Sequence, residues 1–319
     1  MGKKILRIFL ILIIMLIIVG GCYFVYTLLT KEPIEEISKD INSEEISTEP
    51  LFSVTNYPRF DASLATQPLA TAFISNFTGV EFADEDLDYS NTHPAYLKLI
   101  AGETDLIIVT EPSEEELELA EAAGIELEVI PVVKEGFVFY VNENNPINNL
   151  KLEEIQKIYA GEITNWKEVG GTDSAIKPLQ RPVNSGSQTG MLSLVMKDKK
   201  LMTPKMENIA ESMFDIINIV SSYDNGIDSI GYSYYYYATT IYDTTDNSGV
   251  TGAVKLLGVD GVIPSNTTIQ NGSYPLETAY YIVINKAEPK DSNVRKLVDA
   301  MLSARGQKVA EDTGYVKVK

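Results

Sequence analysis

Three residue types that build many functional sites are scarce in this chain of 319 residues. Its one cysteine, Cys22, and one histidine, His93, exclude a disulfide within the chain and a zinc site made of Cys and His. A Ser-His-Asp triad would have to use His93, and no G-x-S-x-G, Walker or H-E-x-x-H motif is present. Arginine occurs only as Arg7, Arg59, Arg181, Arg295 and Arg305. The sequence therefore offers no zinc site of Cys and His and at most one histidine for a triad, and we expect no cofactor.

Basic residues are too few to balance the acidic ones. The chain has 45 Asp and Glu residues against 26 Lys and Arg residues, which gives a formal net charge of −19. Such a charge repels nucleic acids and anionic membrane surfaces, so we expect neither as a partner. It also repels free anions at long range, so an anion site in this chain has to act at short range through dehydrated donors.

The sequence does contain one arginine beside a cluster of hydroxyls and glycines, at residues 181–191. Gly186 lets backbone N–H groups approach a ligand closely, because glycine has no Cβ. The apolar residues 191–196 predict the first turns of a helix, so residues 185–189 would form a helix N-terminus, which favours an anion. Arg181 would add a planar fork that suits a tetrahedral oxyanion. A turn that only caps a helix would have the same spacing.

The N-terminus carries a long apolar run. Three basic residues precede an uncharged stretch at 8–29, which can span a hydrocarbon core of about 30 Å as a helix. The sequence VGGC at 19–22 also resembles a lipobox, with cleavage before a lipidated Cys22. Because the apolar character continues beyond Cys22, we favour an uncleaved anchor with its basic end in the cytosol over a lipoprotein signal. Both interpretations place the rest of the chain on the extracytoplasmic side of the cell membrane.

The remaining chain divides into a linker and a globular part. After the anchor or signal at 1–30, residues 31–53 form an acidic linker without a sustained apolar face. Beyond it, helical periodicity alternates with short apolar runs, which implies an α/β fold with mainly parallel sheets. The predicted helices are 67–77, 94–101, 112–123, 152–159, 207–220 and 293–304, and the predicted strands are 105–109, 127–133, 136–141, 230–232 and 279–284.

Polar loops rich in hydroxyl side chains precede several of the predicted helices. In α/β sheets, ligands bind beyond the carboxyl ends of the strands, where helix N-termini gather. Each loop alone is explained by helix capping, but together they suit a small, doubly charged, oxygen-rich anion. These loops are residues 61–66, 90–92, 110–113 and 185–189.

Several segments together resemble the phosphate-binding proteins of ABC phosphate importers, within the type II periplasmic-binding-protein superfamily. The most specific is GEITNW at 161–166, followed by Gly170 and Gly171, and the resemblance covers roughly residues 54–319. It implies two α/β lobes joined by crossing strands, with the ligand between them. Lobe one would be 54–138 plus 280–319, and lobe two 139–279. The other matching segments are YPRFDAS at 57–63, DLIIVTEP at 105–112, GFVFYVN at 136–142, IQKIYA at 155–160, RPVNSGSQTGM at 181–191 and IGY at 230–232.

The resemblance also implies which residues bind the ligand. The family places a carboxylate after a strand, where it accepts the proton of bound phosphate and so rejects sulfate. The matching residue here is Glu111 instead of an aspartate, and Val183 stands where the family often has an aspartate that steadies the arginine. The donors implied for the ligand are Ser63, Leu64 and Thr92 from lobe one, and Arg181, Ser185, Gly186 and Ser187 from lobe two.

The sequence therefore predicts an extracytoplasmic solute-binding protein, not an enzyme. It would capture phosphate or a similar tetrahedral oxyanion for ABC permease subunits or a membrane sensor. The departures at Glu111 and Val183 leave open a membrane-tethered sensory or interaction module of the same fold, binding another ligand or none. A third hypothesis, a hydrolase using Ser185 or Ser187 with His93, lacks a nucleophile elbow.

Overall fold

The computed structural model describes residues 48–221, 226–241 and 254–318. The predicted anchor at 8–29, Cys22 and most of the linker lie outside these residues. Within them, no helix has both the length and the apolar character that a membrane crossing requires. The part of the chain from Thr48 onward forms one compact unit.

Helices and strands alternate along this unit, as the sequence predicts. The strands are β1 Phe60–Ala62, β2 Leu106–Val109, β3 Leu127–Asn142, β4 Asn149–Leu150, β5 Lys177–Pro178, β6 Ser229–Tyr234, β7 Val254–Leu256, β8 Gly258–Val259, β9 Glu277–Asn285 and β10 Val316–Lys317. The α-helices are α1 Gln67–Thr78, α2 Thr92–Ile100, α3 Glu114–Ala122, α4 Leu152–Ala160, α5 Gly186–Gly190, α6 Met213–Ser221, α7 Asn266–Gln270, α8 Asn293–Leu302 and α9 Ala304–Asp312. Short 3-10 turns are Asp84–Asp86, Trp166–Val169 and Met206–Asn208, and π-helical segments are Met191–Met196 and Tyr237–Ile241.

The main sheet is curled and has the strand order β1-β2-β9-β3-β6-β5, with β7 and β10 also paired to β3. The expectation of mainly parallel pairing is wrong for the strands that the structure describes. Only β1 with β2 and β5 with β6 run parallel in this sheet, whereas the pairings of β3 and β9 are antiparallel. The alternation of helices and strands could not show this, because β9 enters the sheet from the far end of the chain and runs against both neighbours.

Strand β3 connects the two halves of the sheet. It pairs with β9 over residues 127–136 and with β6 over residues 137–141. The sequence predicts two strands here, but the chain continues as one strand with a register shift between Pro131 and Val133. Proline cannot donate to the ladder, which explains the irregularity at that point. We call the part around β1, β2 and β9 the first half-sheet, and the part around β5, β6 and β7 the second half-sheet.

Buried aromatic rings fill the space beside the junction of the half-sheets. Phe137 stacks on Tyr232 with ring centroids 5.5 Å apart and meets the ring of Tyr234 edge-on. Phe139 and Tyr159 extend this cluster. Such pairs add stability beyond the area that they bury. The packed rings therefore stabilise the region where the two half-sheets join.

Two predicted helices have different limits in the structure. The helix predicted at 207–220 begins only at Met213. The helix predicted to close the chain ends at Leu302, and Ser303 then caps a further helix, α9, by accepting from the N–H of Gly306 at 3.3 Å. The sequence did not predict α9, because its many charged and polar residues make the apolar periodicity of a helix hard to recognise.

Candidate functional site

A cavity of about 360 Å³ lies between loops that belong to the two half-sheets. Such a volume is ample for a small anion. Its lining consists mostly of short polar side chains and backbone. The lining residues are Ser63, Leu64, Ala65, Asn91, Thr92, His93, Pro94, Thr110, Arg181, Pro182, Val183, Asn184, Ser185, Gly186, Ser187, Glu211, Ser212, Met213 and Tyr234.

We call the side of the cavity formed by loops of the first half-sheet the first wall, and the side formed by loops of the second half-sheet the opposite wall. The loop between β1 and α1 forms one part of the first wall. The N–H of Ser63 donates to the carbonyl of Ile108 at 3.1 Å, and Thr66 Oγ1 donates to the same carbonyl at 2.6 Å. Ser63 Oγ lies 3.0 Å from Thr66 Oγ1. These bonds fasten the loop to β2. Ser63 is therefore fixed at the N-terminal side of α1, while the side chain of Leu64 remains half exposed.

The start of α2 and the end of β2 complete the first wall. Asn91 is the N-cap residue of α2, which makes Thr92 its first helical residue. Thr110 follows β2 directly, and its carbonyl accepts from the Tyr96 hydroxyl at 2.8 Å. Thr110 is 2% exposed, and its Oγ1 has no hydrogen-bond partner of normal geometry among the described residues.

The opposite wall is the N-terminus of α5. Ser185 caps this helix by accepting from the N–H of Gln188 at 3.3 Å. Ser187 is 2% exposed, and its hydroxyl has no partner among the residues that the structure describes. Because the first N–H groups of a helix have no intrahelical acceptor, this end of α5 is suited to an anion. The π-helical segment Met191–Met196 continues the helix without a break.

Gly186 lies where the two walls touch. A Cβ on this residue would stand 2.5 Å from Thr110 Oγ1 and 2.8 Å from Thr92 Oγ1. Any side chain would push the walls apart, since real Cβ contacts are never so short. The Gly186 carbonyl also accepts from the Tyr234 hydroxyl at 3.0 Å, which holds α5 on β6. Glycine is thus required here by close approach rather than by an unusual backbone angle.

Arg181 brings the only arginine side chain to the cavity lining. Its backbone N–H donates to Gln188 Oε1 at 3.0 Å and to the Tyr232 hydroxyl at 3.1 Å, which fixes its position. Its Nε and Nη1 atoms are buried and have no hydrogen-bond partner in the described part of the chain. Burial lowers the pKa of the guanidinium, because desolvation disfavours its charged form. A guanidinium still remains protonated in proteins.

An unpaired buried charge is costly, so the environment of Arg181 calls for an anionic partner. The ion pairs found within residues 48–221, 226–241 and 254–318 do not include it. The acidic residue that lines the cavity, Glu211, is exposed. His93 also lines it, and its Nδ1 lies 2.9 Å from Oε1 of the buried Glu116. The interior therefore combines one cation with neutral hydroxyls and backbone groups.

The structure brings most of the predicted ligand-binding residues to this one cavity, but not Glu111. The carboxylate of Glu111 accepts a hydrogen bond from the Ser193 hydroxyl, and the side chain is not among those lining the cavity. Its neighbour Thr110 lines the cavity instead. The sequence indicated the loop 110–113 and assigned its contribution to Glu111, whereas the side chain of this loop that lines the cavity belongs to Thr110. The predicted residues that do line the cavity are Ser63, Leu64, Thr92, Arg181, Ser185, Gly186 and Ser187.

Comparison with known proteins identifies the family. The model of the PBP superfamily domain matches residues 60–304. This chain belongs to the PBP superfamily. The resemblance noted in the sequence is therefore confirmed, and the curated relatives agree with it. The phosphate-binding protein PstS of Staphylococcus epidermidis is 30% identical over 234 residues, which are 71% of this chain and 68% of the relative. That of Borreliella burgdorferi is 26% identical over 190 residues, which are 58% of this chain and only 64% of the relative.

Solved structures show the same fold. A candidate phosphate ABC transporter substrate-binding protein from Clostridium perfringens, with bound phosphate, superposes with a TM-score of 0.62 at 23% identity. The superposition covers 83% of this chain and all of that one. An ABC-type phosphate transport receptor from Vibrio cholerae gives a TM-score of 0.58 at 19% identity, covering 81% of this chain and 98% of that one. At these identities the comparison establishes the fold alone.

Among the described residues, no group of three or more His, Cys, Asp and Glu side chains is arranged to hold a metal ion. The polar groups of the cavity lining that can meet a ligand are therefore hydroxyls, backbone N–H groups and Arg181. The Glu116 carboxylate beside His93 Nδ1 resembles the contact that orients a catalytic histidine, but the Ser-His hypothesis also needs a serine on that ring. Among the described residues, the Ser187 hydroxyl has no hydrogen-bond partner and Ser185 Oγ accepts from the N–H of Gln188.

Proposed function

We propose that this protein is an extracytoplasmic solute-binding protein that captures phosphate or a similar tetrahedral oxyanion for an ABC importer. The observation that carries the proposal is the buried guanidinium of Arg181, which has no partner in the described protein and lines a cavity of neutral donors. The names of the curated relatives, phosphate-binding proteins, support phosphate as the ligand. The family consists of binding proteins, and we propose no catalytic residue.

The donors would reach the anion from both walls. Ser63, Leu64 and Thr92 would contribute hydroxyl and backbone N–H groups from the first wall. Ser185, Gly186 and Ser187 would contribute the N–H groups and hydroxyls of the α5 N-terminus, and Arg181 its charged fork. Donors that are neutral apart from one guanidinium can stabilise a dianion through aimed hydrogen bonds, even in a protein whose net charge is −19.

Binding would close two lobes on the ligand. Lobe one would comprise 54–138 and 280–319, and lobe two 139–279, with β3 and β9 as the crossing strands. This division is supported by β3, which exchanges β9 for β6 as its partner between Gly136 and Phe137. Hydrogen bonds from Ser193 to Glu111 and from Asn184 to Glu115 would then link the lobes in the closed form. A permease or a membrane sensor would recognise that form.

The globular part would be tethered to the outer face of the cytoplasmic membrane. Residues 8–29 would serve as an uncleaved anchor, and residues 31–53 as the linker. In the other interpretation, cleavage leaves a lipid on Cys22. Mass spectrometry of the intact mature protein distinguishes the two, because a lipoprotein lacks residues 1–21 and carries the added mass of the lipid.

Isothermal titration calorimetry on the full-length protein tests the proposal. Phosphate and arsenate, which share charge and shape, should both release heat and bind at a single site. Molybdate and sulfate serve as further tetrahedral probes. A folded protein that gives no heat with any of these oxyanions would refute the proposal and favour the sensory or interaction module.

A further inference from the structure

The cavity holds a hydroxyl at the point where its two walls meet. Thr110 lines it directly after β2, is 2% exposed, and carries its Oγ1 beside Gly186. The Tyr234 hydroxyl donates to the Gly186 carbonyl and also interacts with the Thr110 side chain, whose Oγ1 has no other hydrogen-bond partner among the described residues. Both this oxygen and the buried hydroxyl of Ser187 are therefore available to a ligand.

The carboxylates near the first wall are engaged elsewhere. Asp61 accepts from the N–H groups of Ala62 and Ser90, both at 2.7 Å, and from Lys98 Nζ at 3.0 Å. Glu111 accepts from Ser193, as described above. None of the three acidic residues Asp61, Glu111 and Glu116 lines the cavity.

Glu116 is likewise occupied by neighbouring groups of the protein, one of which, His93, itself lines the cavity. It accepts from the Ser113 N–H at 2.8 Å and lies 2.9 Å from the His93 ring. Glu211 does line the cavity but is exposed to solvent. The buried lining thus contains no carboxylate among the residues that the structure describes.

This matters because tetrahedral anions differ in their protons. At neutral pH phosphate carries at least one O–H, which needs an acceptor, whereas sulfate carries none. A buried carboxylate only accepts, so it pairs with phosphate and repels a sulfate oxygen. A threonine hydroxyl rotates to donate or to accept. Thr110 can therefore donate to a sulfate oxygen or accept the proton of phosphate.

We propose that Thr110 makes this cavity a general site for tetrahedral dianions, which binds sulfate as well as phosphate. The inference rests on the proposed function, since it concerns the same cavity. It differs from the expectation drawn from Glu111, which would make the site reject sulfate. The ratio of the dissociation constant for sulfate to that for phosphate distinguishes a site governed by Thr110 from a site governed by Glu111.

Calorimetry on the full-length protein with sulfate and phosphate at pH 7.5 measures this ratio. We expect a ratio below about 10 for the unmodified protein, because a donating hydroxyl leaves no unpaired oxygen. Two variants, Thr110→Asp and Thr110→Asn, then isolate the effect of a negative charge at this position, because aspartate and asparagine have nearly the same shape. Thr110→Asp should raise the ratio at least about tenfold by losing sulfate, whereas Thr110→Asn, whose amide can still donate, should leave it low. Thermal melts confirm that both variants are folded.

Two further variants exclude other proton acceptors. Glu111→Gln and His93→Gln should both leave the ratio unchanged. A ratio above about 100 for the unmodified protein would overturn the inference, and so would a ratio that falls in Glu111→Gln or His93→Gln. Heat with phosphate but not with sulfate would refute this inference alone. No heat with either anion would also refute this inference, and if arsenate and molybdate gave no heat as well, the proposed function would be refuted with it.

Discussion

Arg181 is the residue on which anion binding should depend most. Replacing it by alanine should weaken phosphate binding by about 2–4 kcal/mol, because the bound charge loses the one Lys or Arg side chain among the described residues that line the cavity. The phosphate affinity of Arg181→Lys, which keeps the charge but not the planar fork, should lie between those of the unmodified protein and Arg181→Ala. Calorimetry on the three proteins measures the effect. An unchanged dissociation constant in Arg181→Ala would remove this residue from the site.

Gly186 should be intolerant of even one methyl group. In Gly186→Ala the Cβ would collide with the hydroxyls of Thr92 and Thr110, so the walls cannot approach and phosphate affinity should fall at least about tenfold. Gly261→Ala is a matched control. Gly261 has a φ of +85°, and a Cβ added there would meet no atom within 4 Å outside its immediate chain neighbours. That variant should lose about 1–2 kcal/mol of stability but keep its affinity. Equal affinities for all three proteins would show that the walls do not need to touch.

The sequence could predict the α5 side of the site because its residues are contiguous. Arg181, Ser185 and Gly186 lie on one short loop, so their proximity follows from the chain itself. The choice between Thr110 and Glu111 could not be predicted in this way. Consecutive residues leaving a strand point in opposite directions, and only the register of β2 in the sheet decides which one enters the cavity.

At the scale of elements, β3 carries a buried carboxyl at the point where it changes partners. Glu135 is 2% exposed, and its Oε1 accepts from the N–H of Gly136 at 2.8 Å and of Tyr236 at 3.2 Å. Burial raises the pKa of Glu135 to about 8, because desolvation outweighs these bonds. The carboxyl is therefore mostly protonated in the folded protein at neutral pH.

This raised pKa predicts a pH-dependent stability. The folded state binds a proton that the unfolded state releases near pH 4.5, so the contribution is complete below pH 4.5 and is lost as the pH rises through about 8. The free energy of unfolding of the unmodified protein should fall relative to Glu135→Gln over this range, which urea titrations at pH 5, 6.5 and 8 can measure. Glu118→Gln, an exposed residue of α3, serves as the control. A constant difference between the unmodified protein and Glu135→Gln would contradict the assignment.

The contacts between α3 and the α5 segment make a second prediction at this scale. Glu115 accepts from Asn184, and Glu111, just before α3, accepts from Ser193. Replacing both glutamates by alanine should speed phosphate release several-fold, because bonds that hold the closed form are lost. Stopped-flow dissociation measures this rate, with Glu118→Ala as the control on the same helix. Release at the unmodified rate would mean that these bonds do not hold the cleft closed.

Most element types could be predicted from the sequence, but not how they pair. The periodicity of α1 and the glycine after α4 give their limits closely, since local capping and burial determine them. The antiparallel position of β9 depends on contacts between residues far apart in the chain. No local pattern contains that information.

At the scale of the whole molecule, the proposed function requires a chain of net charge −19 to bind an anion against its own electrostatic field. The small polar cavity meets this requirement, because polar groups of Arg181, Ser187 and Thr110 that lack a hydrogen-bond partner among the described residues are shielded there from solvent. Shielding makes short-range interactions stronger than they would be in water. The composition alone predicted that an anion site would need short-range donors. Where the cavity lies could be seen only in the folded structure.

A crystal structure of the protein with arsenate, with data collected at the arsenic absorption edge, tests the central claim most directly. The account predicts one anomalous peak in the cavity, with arsenate oxygens within hydrogen-bond distance of Arg181 and of the backbone N–H groups at the start of α5. An empty cavity, or a peak only at another place on the protein, would contradict it.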